Sequence, residues 1–170
     1  MVKAPGLLTQ MAIFKNKTKK NAQVNKLFSK GSLNMPPNSN SGDLIFSKNQ
    51  MTISFEIKEN NRILTFDYPE FDNGKGINGK ITLYQDPAID TIVNVVPFKK
   101  KKHFVFAQKI IGMPANGSFS IGDEKYDVSE KNSSYCVIDW SRGVFPYKTT
   151  WYWGSAFGKI NGDTLGFNID

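Results

Sequence analysis

The amino-acid sequence predicts an all-β fold, an antiparallel meander that curls into a barrel or half-barrel, with a β-sandwich as the alternative. Three observations predict it. Apolar and polar residues alternate with a period of two over most of the chain. Turns rich in Gly, Asn and Asp interrupt that alternation at short intervals. No long helical amphipathic pattern is present; the most the chain offers is a turn or short helix near Gln23–Ser29. The 170 residues suffice for one domain with a real core, so residues 1–170 read as a single all-β domain. Aromatic residues make up 13% of the chain, which favours strands and a bulky core or cavity lining.

The elements follow in order. Leu7–Phe14 and Ala22–Phe28 read either as a hairpin across the lysine-rich turn Lys15–Lys20 or as part of a loosely ordered arm over residues 1–40. Ser29–Ser41 is a polar loop with two prolines. Met51, Ile53, Phe55 and Ile57 alternate with polar residues, Glu59–Asn61 turns the chain, and Leu64, Phe66 and Tyr68 return on one face. Pro69–Gly79 reads as a loop, followed by strands at Ile81–Tyr84 and Thr91–Phe98. Lys99–Lys102 separate the latter from a strand at Phe104–Ile111. Pro114–Gly117 reads as a turn. Phe119 and Ile121 form a hairpin with Tyr126 and Val128 across Gly122–Lys125. Tyr135–Trp140 and Trp151–Ile160 are strands, and Asn161–Asp163 turns into Leu165–Ile169. The total is nine or ten strands, a number at which open sheets curl or split into layers.

The net charge is +7, concentrated in Lys15–Lys30 and Lys99–Lys102. Neither segment carries the interleaved aromatics of a base-stacking platform, so nucleic-acid binding is disfavoured. The four consecutive lysines have two readings: a patch for phosphate or anionic lipid, and a solvated hairpin tip, which the local sequence favours. One cysteine, Cys136, excludes an internal disulfide. No apolar run approaches the length of a membrane helix and no signal-like block opens the chain, so a cytoplasmic protein without a membrane span is expected.

The densest information lies in Ile138–Phe157, IDWSRGVFPYKTTWYWGSAF, which holds all three tryptophans of the chain. Read as strands, it ends one strand with Asp139, Trp140 and Arg142 and points Trp151 and Trp153 to one face of the next, with Tyr152 on the other. Two readings stand side by side. Asp139, Trp140, Arg142, Tyr147, Trp151 and Trp153 line a ligand site in which Arg142 and Asp139 orient a polar head among indoles. Alternatively, an Arg–Asp pair pins a turn and the tryptophans fill the core. Catalytic and metal signatures are weak. His103 is the one histidine, a His103–Cys136 dyad lacks a third orienting group, and no metal-ligand spacing or cofactor motif is present, so neither metal nor cofactor is expected.

The run IDWSRGVFPYKTTWYWGSA, followed by GKINGDTLGFNI, resembles the signature of the family called domain of unknown function 2804. The upstream pieces SGDLIFSKN, FDNGKGINGKITLYQDP and PFKKKKHFVFAQKI are similar too, in the same order, so the resemblance covers roughly residues 7–170. The motif positions are Asp139, Trp140, Arg142, Gly143, Pro146, Tyr147, Trp151 and Trp153. The resemblance implies a lipocalin-like architecture of two barrels, distantly similar to carotenoid hydratases and tocopherol cyclases, and the handling of a lipid or isoprenoid. Ser141 replaces the glycine usual in that motif, and Asp139 stands where the hydratase-type relatives carry a histidine, so their chemistry does not transfer. Family members are longer, which implies a fragment of a two-barrel protein with open strand edges able to self-associate. Three functions follow as expectations: a binding module for an apolar or amphipathic small molecule, an enzyme of lipid or isoprenoid conversion with Asp139 as acid and Arg142 as support, and a truncated remnant.

Overall fold

In the computed structural model, residues 7–15, 20–28 and 36–169 are described; for residues 7–15, 20 and 26–28 the description covers the backbone alone. Twelve strands are found among them and almost no helix. Every pairing given below is antiparallel, and the main sheet does not close on itself. The chain divides into two compact units, residues 1–82 with 116–128, and residues 83–115 with 129–170.

The first unit begins with a hairpin, β1 (Leu7–Lys15) and β2 (Lys20–Phe28), in register from Leu7 opposite Phe28 to Lys15 opposite Lys20. The hairpin reading of the head of the chain therefore holds, and Gln23–Phe28 is strand rather than helix. Ala22 and Val24 pack against the core of the unit. The rest of the 1–40 arm, residues 1–6, 16–19 and 29–35, lies outside the described residues.

A meander follows: β3 (Leu44–Lys48), β4 (Met51–Lys58), β5 (Asn61–Tyr68) and β6 (Ile77–Tyr84). Asn49 and Gln50 both take positive φ between β3 and β4, the conformation a two-residue hairpin turn requires. Alternation then decides what is inside. Met51 and Ile53 on β4, Phe66 and Tyr68 on β5, and Phe46 on β3 meet in one cluster. The expected loop after Tyr68 is shorter than the sequence suggests, because Ile77–Gly79 already belong to β6. Phe71–Gly74 make a left-handed turn, with Asp72, Asn73 and Gly74 all at positive φ. Phe71 is 1% exposed and anchors that turn in the core beside Ile77.

The largest departure from expectation is β8 (Phe104–Ile121), one strand of 18 residues. Pro114–Gly117 is not a turn. Pro114 lies opposite Tyr135, the first residue of its partner strand, where a missing N–H costs little. The C-terminal part of β8 serves the first unit, where it pairs with β6 and with β9 (Glu124–Val128) across the expected Gly122 turn.

In the second unit, Phe104–Ala115 of β8 is the central strand. It is flanked by β7 (Ile92–Pro97) and β10 (Tyr135–Val144). A bulge interrupts the β8–β10 ladder between Ile110–Met113 and Cys136–Ile138. Gly112, buried with φ 75°, occupies the extra position, where its missing side chain lets Thr164 and Phe157 approach. Those two residues belong to β11 (Gly154–Ile160) and β12 (Asp163–Ile169), a hairpin turning at Asn161–Gly162, as the sequence predicts. Trp151–Trp153, however, precede β11 and are not strand residues. The ladder with β12 is described from Ile160 opposite Asp163 to Gly154 opposite Ile169.

Two stability predictions follow. Phe71→Ala should cost about 3–5 kcal/mol, the usual range for a buried Phe, read as a lower urea midpoint at constant slope. Gly143 faces backbone: a Cβ there would sit 2.2 Å from the carbonyl oxygen of Phe104 and 2.8 Å from the Cα of Val105. Gly143→Ala should therefore destabilise by about 1–3 kcal/mol in the same measurement, since backbone atoms cannot rotate aside.

Candidate functional site

The candidate site is built on the three-stranded sheet of the second unit. Alternation along β8 sends Val105, Ala107 and Lys109 to one face, all three buried. Ile92, Asn94 and Val96 of β7 share that face, half-buried, while Val93 and Val95 point the other way and are exposed. Lys109 is 2% exposed, the one charged residue in the buried set. Asp139 lies directly across the ladder from it, with 3.9 Å between the Lys109 Nζ and the carboxylate. The Trp153 ring covers the same ammonium, its centroid 5.3 Å away. This is cation–π range, and the ring is half exposed on its other side.

The opposite face of the sheet carries Trp140 and Arg142. Arg142 stands opposite Phe106, and Trp140 opposite Gln108. The Trp140 and Phe106 rings meet edge-on at 6.0 Å, and the Gln108 side-chain amide donates to the Thr91 hydroxyl at 3.0 Å. Asp139 and Arg142 are three residues apart with no break in register, so alternation takes them to opposite faces of β10. The expected juxtaposition of an acid and its arginine support is thus replaced by a cross-strand pair of Asp139 with Lys109.

The remaining predicted residues lie in the segment between β10 and β11. Trp151 joins Phe98 and Phe145 in a mutual cluster, with centroids 6.3 to 6.4 Å apart. Tyr147 is 97% exposed. The six predicted residues therefore divide three ways. Asp139 and Trp153 converge on Lys109, Trp140 and Arg142 share the other face, and Trp151 and Tyr147 belong to the solvent-facing segment.

Lys109 is the member that the reading of the sequence missed. The signal was present: it falls in the apolar phase of the strand Val105–Ala107–Lys109, where a charge is conspicuous. The His103–Cys136 dyad is ruled out. Cys136 pairs with Met113, ten positions along β8 from His103, which at about 3.3 Å per residue is roughly 30 Å. Among the described residues, no group of His, Cys, Asp and Glu could hold a metal ion. The first unit separately carries an open groove of about 570 Å³, lined by polar side chains that include Asn78, Lys80, Ser118 and Ser120. None of the six predicted residues lines it.

An open, all-antiparallel β protein with an indole-roofed lysine on one sheet face is the class that this geometry defines. The family model described as Domain of unknown function (DUF2804) matches residues 6–170, and the chain belongs to that family. No curated protein and no solved structure matches the chain.

Cys136 supplies a check on the site's packing. It is half-buried on β10, and burial pushes its thiol above the ordinary range, a backbone hydrogen bond with Val137 opposing only in part. A raised folded pKa means that the unfolded chain loses its proton first. This contribution to stability is present below about pH 8.5, the usual thiol value, and falls as pH rises beyond it. Alkylation by iodoacetamide should accordingly be slow in the native protein and fast in urea at the same pH, as followed by mass spectrometry. Equal rates would show that the β8–β10 face is open at Cys136.

Proposed function

We propose that the protein binds an amphipathic small molecule, of the lipid or isoprenoid class, on the Lys109 face of the second unit. The observation that carries this reading is a fully buried ammonium beneath a half-exposed indole, with a partly exposed carboxylate across the strand. A polar head can approach from the solvent side of Asp139, with the Lys109 charge behind it. An apolar body can then lie against the free face of Trp153. Buried charge adds little to stability compared with an apolar residue of similar volume, so its placement under an accessible ring supports recognition. Conversion of such a molecule by Asp139 as acid is less well supported, because Arg142, its expected partner in that chemistry, leaves β10 on the other face.

Titration with oleate should quench tryptophan emission saturably. Trp153→Phe should remove most of the quenching while leaving the circular dichroism spectrum intact. Lys109→Met, which preserves volume, should weaken oleate binding by roughly tenfold, the loss of one charge-assisted hydrogen bond. It should leave the binding of uncharged oleyl alcohol nearly unchanged. Absence of quenching in the folded wild-type protein, or oleate binding unaffected by both substitutions, would remove the proposal.

A further inference from the structure

The tip of the β7–β8 hairpin meets the segment after β10 through ring contacts. Phe98, the residue before the four lysines, packs against both Phe145 and Trp151. Phe104, the first residue of β8, lies opposite Val144, the last residue of β10. Lys99–Lys102, an exposed turn, therefore adjoins an aromatic cluster whose members come from more than forty residues away in sequence. Aromatic side chains of this segment are exposed: Tyr147 97%, Tyr152 82%, Phe145 49% and Trp151 40%, with Val144 at 49%. Charge is equally one-sided. Residues 97–104 and 140–153 together hold five lysines and one arginine, and no Asp or Glu.

We infer that this end of the second unit docks on an anionic lipid bilayer. Both halves of the chemistry are there. Lysines attract a negatively charged leaflet over about a Debye length. Trp, Tyr and Phe side chains, each an apolar body and in Trp and Tyr a polar tip, settle at the level of the headgroups. The binding mode is peripheral: no helix among the described residues is long and apolar enough to cross a membrane. The packing favours lipid over nucleic acid. The three clustered rings are tilted against one another by 50° to 53°, so they do not form the row of parallel platforms on which successive bases stack. Aliphatic Val144 beside them suits acyl chains and offers nothing to a base. The inference uses side chains other than Lys109, Asp139 and Trp153, so it stands or falls apart from the ligand site.

Co-sedimentation of the full chain with vesicles tests it. Vesicles of phosphatidylcholine with phosphatidylserine should bind the protein and shift its tryptophan emission to the blue, while phosphatidylcholine alone should bind it much more weakly. Replacing Lys99–Lys102 with Gln should weaken binding at least about tenfold and remove most of its salt dependence. Tyr147→Ser with Tyr152→Ser, two positions too exposed to carry the fold, should weaken it severalfold and leave the salt dependence in place. The inference is overturned if phosphatidylserine vesicles do not sediment the protein, or if binding survives both the lysine and the tyrosine substitutions. It is also overturned if single-stranded oligonucleotides bind this surface and vesicles do not.

Discussion

Burying the ammonium of Lys109 is the constraint on which the second unit depends. Removing such a charge from water costs several kcal/mol even after the protein relaxes. At 3.9 Å the Asp139 carboxylate returns up to about 4 kcal/mol at an effective dielectric near 20, and less here because that carboxylate is partly in solvent. The Trp153 ring adds about 0.5–2 kcal/mol. Both contacts offset part of that cost. They also fix its parts. β10 must pair with β8 in the register that sets Asp139 across from Lys109, and the chain leaving β10 must return so that Trp153 closes over the amine.

Much of the fold was legible because hairpins announce themselves locally. Asn161–Gly162 and the Gly122 turn carry the residues that positive φ demands, and each turn joins two strands paired in continuous register. What was not legible is non-local. Pro114–Gly117 has the composition of a turn, yet it continues β8, since Pro114 sits where the β10 ladder ends and Gly117 fits against the Lys80 carbonyl, 2.1 Å from where a Cβ would lie. Trp151–Trp153 has the composition of a strand, yet it lies outside β11. Composition reports what a backbone tolerates, and pairing decides what it does.

The same distinction governs the site. Clustering in sequence singled out Asp139 and Trp153, but their shared contact, Lys109, lies some thirty residues before Asp139 and meets it only through strand register. Reading the phase of Val105–Ala107–Lys109 would have shown a charge on the buried side. It would not have shown which carboxylate faced it. Lys99–Lys102 read locally as a solvated tip because the rings beside them arrive from Phe145 and Trp151.

The tryptophan-rich segment therefore does not line one enclosed space. Residues 145–153 form a strap without a paired strand, and its aromatics divide by what each can reach. Trp153 lies at the point where the strap joins β11, close enough to the sheet face to cover Lys109. Trp151 and Phe145 meet Phe98 at the hairpin tip, and Tyr147 and Tyr152 face water. A packed core would have drawn these rings inward, since each large side chain left exposed forgoes roughly 1.5–3 kcal/mol of burial. Exposed aromatics beside a run of lysines suit a partner that is apolar and negatively charged. The segment thus joins two chemically different settings, the sheet face at Trp153 and the hairpin tip at Phe145 and Trp151.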